Sequence, residues 1–212
     1  MNKINFKLKA TILSLALLAS MTSNAKAGGY STYLYSTSGL GNAYSGSSTG
    51  SHDVSDIYFN PAVTAGKNKS EVIASFNYLR LAIDPDNIST VSAFGNRAGA
   101  ESRNVGSQKL IPAFYFSSPI NDKTAFNLAI SSPFGLETKY NKNWPGRFRA
   151  LNSSISTLNI NPSVAYKITN DLSFGAGVMA QYYKANLTNE ALSPLLTTGL
   201  GTVDGSDWGY GY

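Results

Sequence analysis

Residues 158–168 read LNINPSVAYKI, and this stretch decides the fold class because large apolar and small polar residues alternate along it. The large side chains take every second position except at the proline, namely Leu158, Ile160, Val164, Tyr166 and Ile168. Successive residues of a β-strand point to opposite faces, so the pattern predicts a strand with one apolar and one small, polar face. Its 11 residues are also enough for a tilted strand to cross a bilayer, which takes about 9–11 residues.

Four more stretches alternate in the same way, and a fifth resembles the opening of another strand. They are residues 71–79, 110–118, 124–132, 172–182 and 207–212. Their second faces carry Ser, Asn, Gly, Gln and Tyr rather than the many Lys and Glu of a soluble sheet, which indicates a water-filled lumen. The sequence therefore predicts an all-β fold, a transmembrane antiparallel β-barrel of which this chain holds about five to six strands. Because five strands cannot close a barrel and lipid does not tolerate unpaired edges, we expect a fragment in preference to an assembly of several copies.

The connections between these strands alternate in length. Residues 119–123 and 169–171 are Asn/Asp-rich and predict tight turns. Residues 80–109, 133–157 and 185–207 predict long loops, which in outer-membrane barrels lie outside the cell. Two prolines interrupt the pattern, and we expect Pro112 and Pro162 each to mark a strand start or a bulge.

Residues 1–27 have the features of a secretory signal: a basic start, an apolar centre and the small-x-small site Ala25-Lys26-Ala27. The chain carries a net charge of +5. Four lysines and no acid lie in the signal, so the mature chain is close to neutral at about +1, and we expect no nucleic-acid partner. With no cysteine and a single histidine, we expect no disulfide framework, no metal site and no cofactor.

Residues 28–69 are small, polar and rich in Gly and Ser, unlike the strands that follow. They contain SGLGNAYSG at residues 38–46 and Asn-Pro-Ala at residues 60–62. A compact polar segment ahead of membrane-type strands predicts a plug inside the barrel, which occupies residues 70–212. The candidate plug residues are Ser38, Gly39, Leu40, Gly41, Tyr44 and Gly46.

These stretches, in this order, resemble the FadL/TodX (OmpP1) family of outer-membrane transporters. The likeness rests on the plug and Asn-Pro-Ala stretches and on four others: SPFGLET at 132–138, WPGRF at 144–148, PIND at 119–122 and LSFG at 172–175. It covers nearly all of the mature chain but only the first half of a family barrel. The resemblance implies a protein that is not an enzyme, lies in the bacterial outer membrane, and is a monomer at full length.

The family architecture is a 14-stranded barrel with the N-terminal segment folded inside as a hatch. The resemblance implies that a long-chain fatty acid or another hydrophobic compound binds in the barrel and leaves sideways into the membrane lipid when the hatch moves. The implied gating residues are Asn60, Pro61, Ala62 and Gly135, the last at a kink in the third strand. Candidate ligand residues are Trp144, Arg147, Phe148 and Lys184, although loop and interfacial roles suit them too, and for Lys184 a snorkelling role is favoured.

Other functions remain open from the sequence. A general porin predicts an open, charged lumen, which the polar but uncharged faces disfavour. A structural or adhesive barrel needs only the outer loops, and a secreted β-sandwich would not sediment with membranes. Catalysis by His52 with Asp53 or Asp56 is disfavoured because a single histidine in the plug would have to act as the base.

Overall fold

The structure is a computed structural model that describes residues 31–85, 91–92, 95–96, 103–192 and 198–212. The predicted signal peptide, residues 1–27, lies outside these ranges. Within them, no helix has the length and hydrophobicity needed to cross a membrane.

The described chain is dominated by antiparallel strands. They are β1 (Glu71–Arg80), β2 (Val91–Ser92), β3 (Gly95–Asn96), β4 (Gln108–Asn121), β5 (Thr124–Ser131), β6 (Gly135–Lys139), β7 (Asn152–Lys167), β8 (Ser173–Gly177), β9 (Met179–Leu192) and β10 (Thr198–Gly211). The main sheet has the order β1-β4-β5-β7-β9-β10, with β6 and β8 also paired to β7, while β2 and β3 pair with each other. Since β6 continues β5 and β9 continues β8 along the chain, this wall has six strand positions, and the predicted all-β antiparallel fold is confirmed.

The two faces of the wall are the predicted ones. Residues opposite each other in register share a face, and Phe76, on the apolar face of β1, is 65% exposed. Tyr115, on the other face of β4, is fully buried. We call the apolar face the outer face and the one that carries Tyr115 the inner face.

Residues 31–70, here called the N-terminal segment, lie against the inner face. They form the short helix α1 (Thr37–Leu40) and three 3₁₀ turns at Ser47–Thr49, Val54–Tyr58 and Pro61–Thr64. Val54 and Ile57 of this segment pack with Ala113, Tyr115 and Ala129 of the wall to form the hydrophobic core. The small inner-face residues of β4 and β5 leave the room that the segment fills.

The prediction that each proline starts a strand or forms a bulge is wrong. Pro112 lies within β4 opposite Phe76, and Pro162 lies within β7, with unbroken register on both sides. Val178 donates its N–H to Pro162 O at 3.1 Å, but Pro162 has no N–H to donate to Val178 in turn. The ladder with β7 is therefore interrupted between β8 and β9, and its register does not change. Pro112 lies where β4 has no β5 partner, since that ladder stops at Phe114, and an open edge tolerates proline.

The long-loop prediction is right for residues 80–109, where β1 ends and β4 begins, and wrong for residues 185–207. There β9 runs to Leu192 and β10 starts at Thr198, so the predicted strand at 207–212 is the far end of β10. Backbone pairing between β9 and β10 extends beyond the residues that alternate between apolar and polar. The alternation alone therefore underestimates the length of both strands. The predicted loop 133–157 likewise shortens, because β6 and the start of β7 occupy its two ends.

Candidate functional site

The N-terminal segment is fixed internally by capping side chains. Ser36 caps α1 by accepting the N–H of Gly39 at 3.1 Å. A Cβ on Gly39 would lie 2.5 Å from the Tyr44 ring, whereas one on Gly41 would meet nothing closer than 3.8 Å. Of these two positions, close packing therefore requires glycine at position 39.

Tyr44 is the centre of this packing. Its backbone has φ +58°, a left-handed conformation that is costly for an aromatic residue. Its hydroxyl accepts the N–H of Tyr35 at 2.9 Å and donates to Tyr33 O at 2.8 Å. The hydroxyl thus fixes the turn that precedes α1. Of the other candidate plug residues, Leu40 is exposed and Gly46 has φ +81°.

The second half of the segment is organised around two aspartates. Asp53 caps the Val54–Tyr58 turn through the N–H of Ser55 at 2.8 Å, and Ser38 donates its hydroxyl to the same carboxylate at 2.6 Å. Partial burial raises the pKa of Asp53, but the hydrogen bonds from Ser38 and Ser55 and the neighbouring His52 outweigh it and hold the pKa below its usual value. Asp56 is buried and accepts the backbone N–H of His52 at 2.9 Å.

The residues around His52 superficially resemble a hydrolase triad, because Gly46-Ser47-Ser48-Thr49-Gly50 has the Gly-x-Ser-x-Gly spacing. Ser47 of this stretch contacts His52. However, Ser47 and Asp56 both contact the same ring nitrogen of His52, Nδ1, at 3.4 and 3.2 Å. The other nitrogen, Nε2, is held by Asn42 at 2.8 Å. A catalytic histidine needs one nitrogen for the nucleophile and the other for the carboxylate, so this arrangement serves structure.

Asn60, Pro61 and Ala62 form the start of a 3₁₀ turn that docks on the wall. Asn60 caps it through the N–H of Ala62 at 3.0 Å. Asn127 of β5 donates its amide to Pro61 O at 3.2 Å, and both Asn127 and Thr64, which hydrogen-bond each other, are fully buried. The contact with β8 is so close that a Cβ on Gly175 would lie 2.6 Å from Ala62 N.

A tyrosine cluster joins the segment to the wall beside this turn. Tyr35 stacks on Tyr58 with ring centroids 4.1 Å apart, and Tyr115 donates its hydroxyl to Tyr35 O at 2.8 Å. Burial, followed by the hydrogen bond with Tyr35, raises the pKa of Tyr58 well above its usual value. Next to the cluster lies a cavity of about 500 Å³, whose apolar lining includes Phe59, Met179 and Tyr212.

The wall contains an opening between β4 and the next strand, which we call the window. Phe114 pairs with Ile130 at one end and Gly106 pairs with Thr138 at the other. Residues 107–113 and 131–137 do not pair with each other between these two points. The window therefore has seven unpaired residues on each side, and the eight residue steps between the flanking pairs span about 26 Å along the strands.

The window results from a bulge in the strand that β5 and β6 form, on the side of that strand that pairs with β7. Ser131 pairs with Asn159 of β7, whereas Gly135 pairs with Ser156. Four steps along one strand thus match three along the other, and an extra residue bends a strand locally. The pairing of this strand with β4 has the same register at both ends of the window. The strand therefore separates from β4 and pairs with it again without a register shift.

Thr157 of β7 replaces the missing ladder bonds at the bulge. Its hydroxyl accepts the N–H of Phe134 at 3.0 Å and donates to Phe134 O at 2.8 Å, while Ser132 donates its hydroxyl to Thr157 O at 2.7 Å. On the opposite edge, Thr32 donates its N–H to Pro133 O at 2.9 Å. Residues 132–134, here called the displaced stretch, are thus held by β7 on one side and by the N-terminal segment on the other.

The structure does not bring all the predicted gating residues together. Gly135 is the first residue of β6 and pairs with Ser156, while the Asn-Pro-Ala turn contacts Asn127 and Gly175. A Cβ on Gly135 would meet only a carbonyl oxygen at 4.0 Å, so neither space nor positive φ demands glycine there. The bend itself lies at residues 132–134.

Three candidate ligand residues lie in the loop between β6 and β7. Trp144 is buried, stacks on Tyr140 at 4.0 Å and donates its indole N–H to Ala150 O at 2.7 Å. Arg147 forms an ion pair with Glu190 of β9 at 2.6 Å and lies over the ring of Phe148 at 4.9 Å. These contacts secure the loop on β9, and the cation of Arg147 already has a carboxylate partner.

Lys184 lies elsewhere. It pairs in register with Ser156 of β7 and Ser206 of β10, two residues from the pairs that Tyr182 makes. It therefore shares the outer face with Leu158, Tyr182 and Trp208. This position fits a lysine at the edge of the membrane and not one that lines the lumen.

Sequence reasoning missed Thr157, Asn127 and Gly175. All three lie on the inner face. The alternation correctly placed Asn127 and Gly175 there, whereas Thr157 fell in the predicted loop 133–157. What it lacked was the identity of the contacting partner: Phe134 for Thr157, and the Asn-Pro-Ala turn for the other two. A small or polar residue at a lumen position was the available signal for Asn127 and Gly175, and the sequence offered none for Thr157.

Comparisons with known proteins agree with this architecture. Residues 18–212 match the family described as outer membrane protein transport protein (OMPP1/FadL/TodX). The long-chain fatty acid transport protein of Escherichia coli O6:H1 strain CFT073 is 30% identical over 99% of this chain and 50% of its own length. Outer membrane protein P1 of Haemophilus influenzae is 31% identical over 90% of this chain and 43% of its own.

A solved structure shows the same fold. The crystal structure of a Pseudomonas aeruginosa FadL homologue matches with a TM-score of 0.72 at 24% sequence identity, over 86% of this chain and 48% of that one. The chain spans about half the length of the curated relatives it matches.

Proposed function

Because the chain belongs to the OMPP1/FadL/TodX family, we propose that it supplies hatch and wall to an outer-membrane transporter of long-chain fatty acids or other hydrophobic compounds. The family is one of transport proteins and not of enzymes, and the protein is a bacterial outer-membrane protein. We further propose that residues 28–69 are the hatch and residues 70–212 the first part of the barrel.

The observation that carries the proposal is the window, together with the segment that touches it. The N-terminal segment contacts the displaced stretch at Pro133 and the far wall at Gly175. A shift of the docked Asn-Pro-Ala turn would therefore be transmitted to the window. We propose that this links hatch movement to lateral release of the ligand into the membrane.

The cavity beside the tyrosine cluster supports binding before release. Its volume of about 500 Å³ falls within the range of sites that enclose small ligands. Its lining is mainly apolar and aromatic, which favours a hydrophobic compound. A ligand held there would lie against Tyr58 and Phe59 of the hatch, so binding and hatch position would influence each other.

Deleting residues 28–59 from the full-length protein tests the proposal. We expect altered uptake of a labelled long-chain fatty acid, or a new conductance in planar bilayers, because the lumen loses its filling. A control that replaces these residues with a Gly/Ser segment of equal length separates filling from spacing. Unchanged uptake with a silent pore would contradict the proposal, and a large steady conductance of the wild type would favour a general porin.

A further inference from the structure

The rim of the window carries two charged residues. Of residues 107–113 and 131–137, all of which the structure describes, Lys109 and Glu137 are the charged ones. They lie on opposite sides: Lys109 in β4 and Glu137 in β6. The two side chains form an ion pair across the opening.

This ion pair joins strands that share no ladder at that point. The side chains of Lys109 and Glu137 are 46% and 26% exposed, and exposed pairs contribute little to stability. The pair of Arg147 and Glu190 differs, since its side chains are 16% and 19% exposed and Glu190 N also donates to Arg147 O at 2.8 Å. The pair at the window is thus the more easily separated of the two.

Between the polar residues Ser107, Gln108, Ser131 and Ser132, the rim offers apolar side chains to a hydrocarbon chain. Leu110, Ile111, Pro112, Phe134 and Leu136 lie on the two sides. A long-chain carboxylate in this opening would place its tail among apolar groups and its head group within reach of one cation. It would then compete with Glu137 for Lys109, because both are carboxylates and a charge-assisted hydrogen bond to ammonium is open to either.

We propose that Lys109 and Glu137 form a clasp across the window that must separate for a ligand to pass, and that Lys109 then receives the carboxylate of an anionic amphiphile. The clasp rests on the proposed lateral release. It makes Lys109 a specificity-determining residue that distinguishes a fatty acid from a neutral compound of the same length.

Cross-linking tests the clasp directly. This chain has no cysteine, so once any cysteine outside it is replaced by serine, the full-length double variant K109C/E137C can be joined selectively by a short bifunctional maleimide. We expect the cross-linked protein to lose uptake of oleyl alcohol, which does not need the cation of Lys109, while the same variant capped with a monofunctional maleimide retains uptake of the alcohol. Equal uptake by the cross-linked and capped proteins would overturn the clasp.

Charge variants test the role of Lys109. We expect K109M to reduce oleate uptake about tenfold relative to oleyl alcohol, the order expected for loss of a charge-assisted contact. E137Q should shift the ratio the other way, because the lysine loses its competitor. The charge swap K109E/E137K keeps a cation on the rim and should restore the wild-type ratio.

The outcomes distinguish a failure of the proposed role of Lys109 from a failure of the proposed transport function. If the wild type takes up neither compound, the proposed transport fails. If it takes up both and the acid-to-alcohol ratio is the same in K109M, E137Q and the charge swap, transport stands and the role of Lys109 is wrong. Folding is checked for each variant by the shift in electrophoretic mobility on heating.

Discussion

At the scale of single residues, the structure requires glycine at position 175 but not at position 135, although the sequence analysis singled out only Gly135. Gly135 has free space for a methyl group, whereas Gly175 faces the backbone of the Asn-Pro-Ala turn at 2.6 Å. The difference arises because Gly135 lies at a rim and Gly175 lies under the docked segment.

Substituting each glycine by alanine should expose this difference. We expect Gly175→Ala to destabilise the protein by about 1–3 kcal/mol, because the methyl group overpacks a contact made of backbone atoms. Gly135→Ala, the matched control, should change stability by less than about 1 kcal/mol. The measurement is the guanidinium midpoint of unfolding in detergent, and equal midpoints for the two variants would contradict the docking contact.

At the scale of elements, the sequence correctly predicted which face of a strand each residue takes, but it misjudged the effects that depend on a neighbouring strand. Alternation placed Phe76 outside and Tyr115 inside because each strand's period of two is a local property. It misjudged Pro112 and Pro162, since the effect of a missing N–H depends on what lies across the ladder. It also shortened β9 and β10, because their ends are held by backbone pairing rather than by an apolar face.

The bend in the third strand shows the same division. The stretch Ser132-Pro133-Phe134-Gly135 indicated an interruption, and the structure has one there. The sequence could not show that Thr157, 23 residues beyond Phe134, replaces the lost ladder bonds. Nor could it show that Thr32 pairs with the same stretch, because long-range partners leave no local periodicity.

Removing the Thr157 hydroxyl should therefore affect the window more than the fold. Thr157→Val keeps the shape but leaves both peptide groups of Phe134 without their partner, and an unmade buried hydrogen bond costs about 1–3 kcal/mol. We expect the strand to rearrange at residues 132–134 and fatty-acid uptake to fall. Thr157→Ser, which keeps the hydroxyl, should retain uptake, and hydrogen exchange at Phe134 should rise in the valine variant alone.

At the scale of the whole molecule, the arrangement is consistent with a wall whose polar face is occupied and whose apolar face is bare. The inner-face residues Asn127 and Tyr115 are fully buried against the N-terminal segment. The outer face leaves large apolar side chains exposed from one edge of the sheet to the other, among them Phe76 and Val72 of β1 and Tyr210 of β10, and extended apolar surface of this kind is rare on soluble proteins. Lipid is the solvent that matches this face, in agreement with the outer-membrane family.

The two tryptophans of the chain provide a test of this orientation. Trp208 lies on the outer face and is 44% exposed, whereas Trp144 is 7% exposed beneath Tyr140. In the full-length protein with any tryptophan outside this chain replaced by phenylalanine, reconstituted in vesicles of brominated phospholipids, we expect the fluorescence of a Trp144→Phe variant, which retains Trp208, to be strongly quenched. The fluorescence of Trp208→Phe, which retains the buried Trp144, should change little. If the two variants were quenched alike, or the order were reversed, the outer face assigned from the strand register would be wrong, because bromine quenches only at contact with the acyl chains.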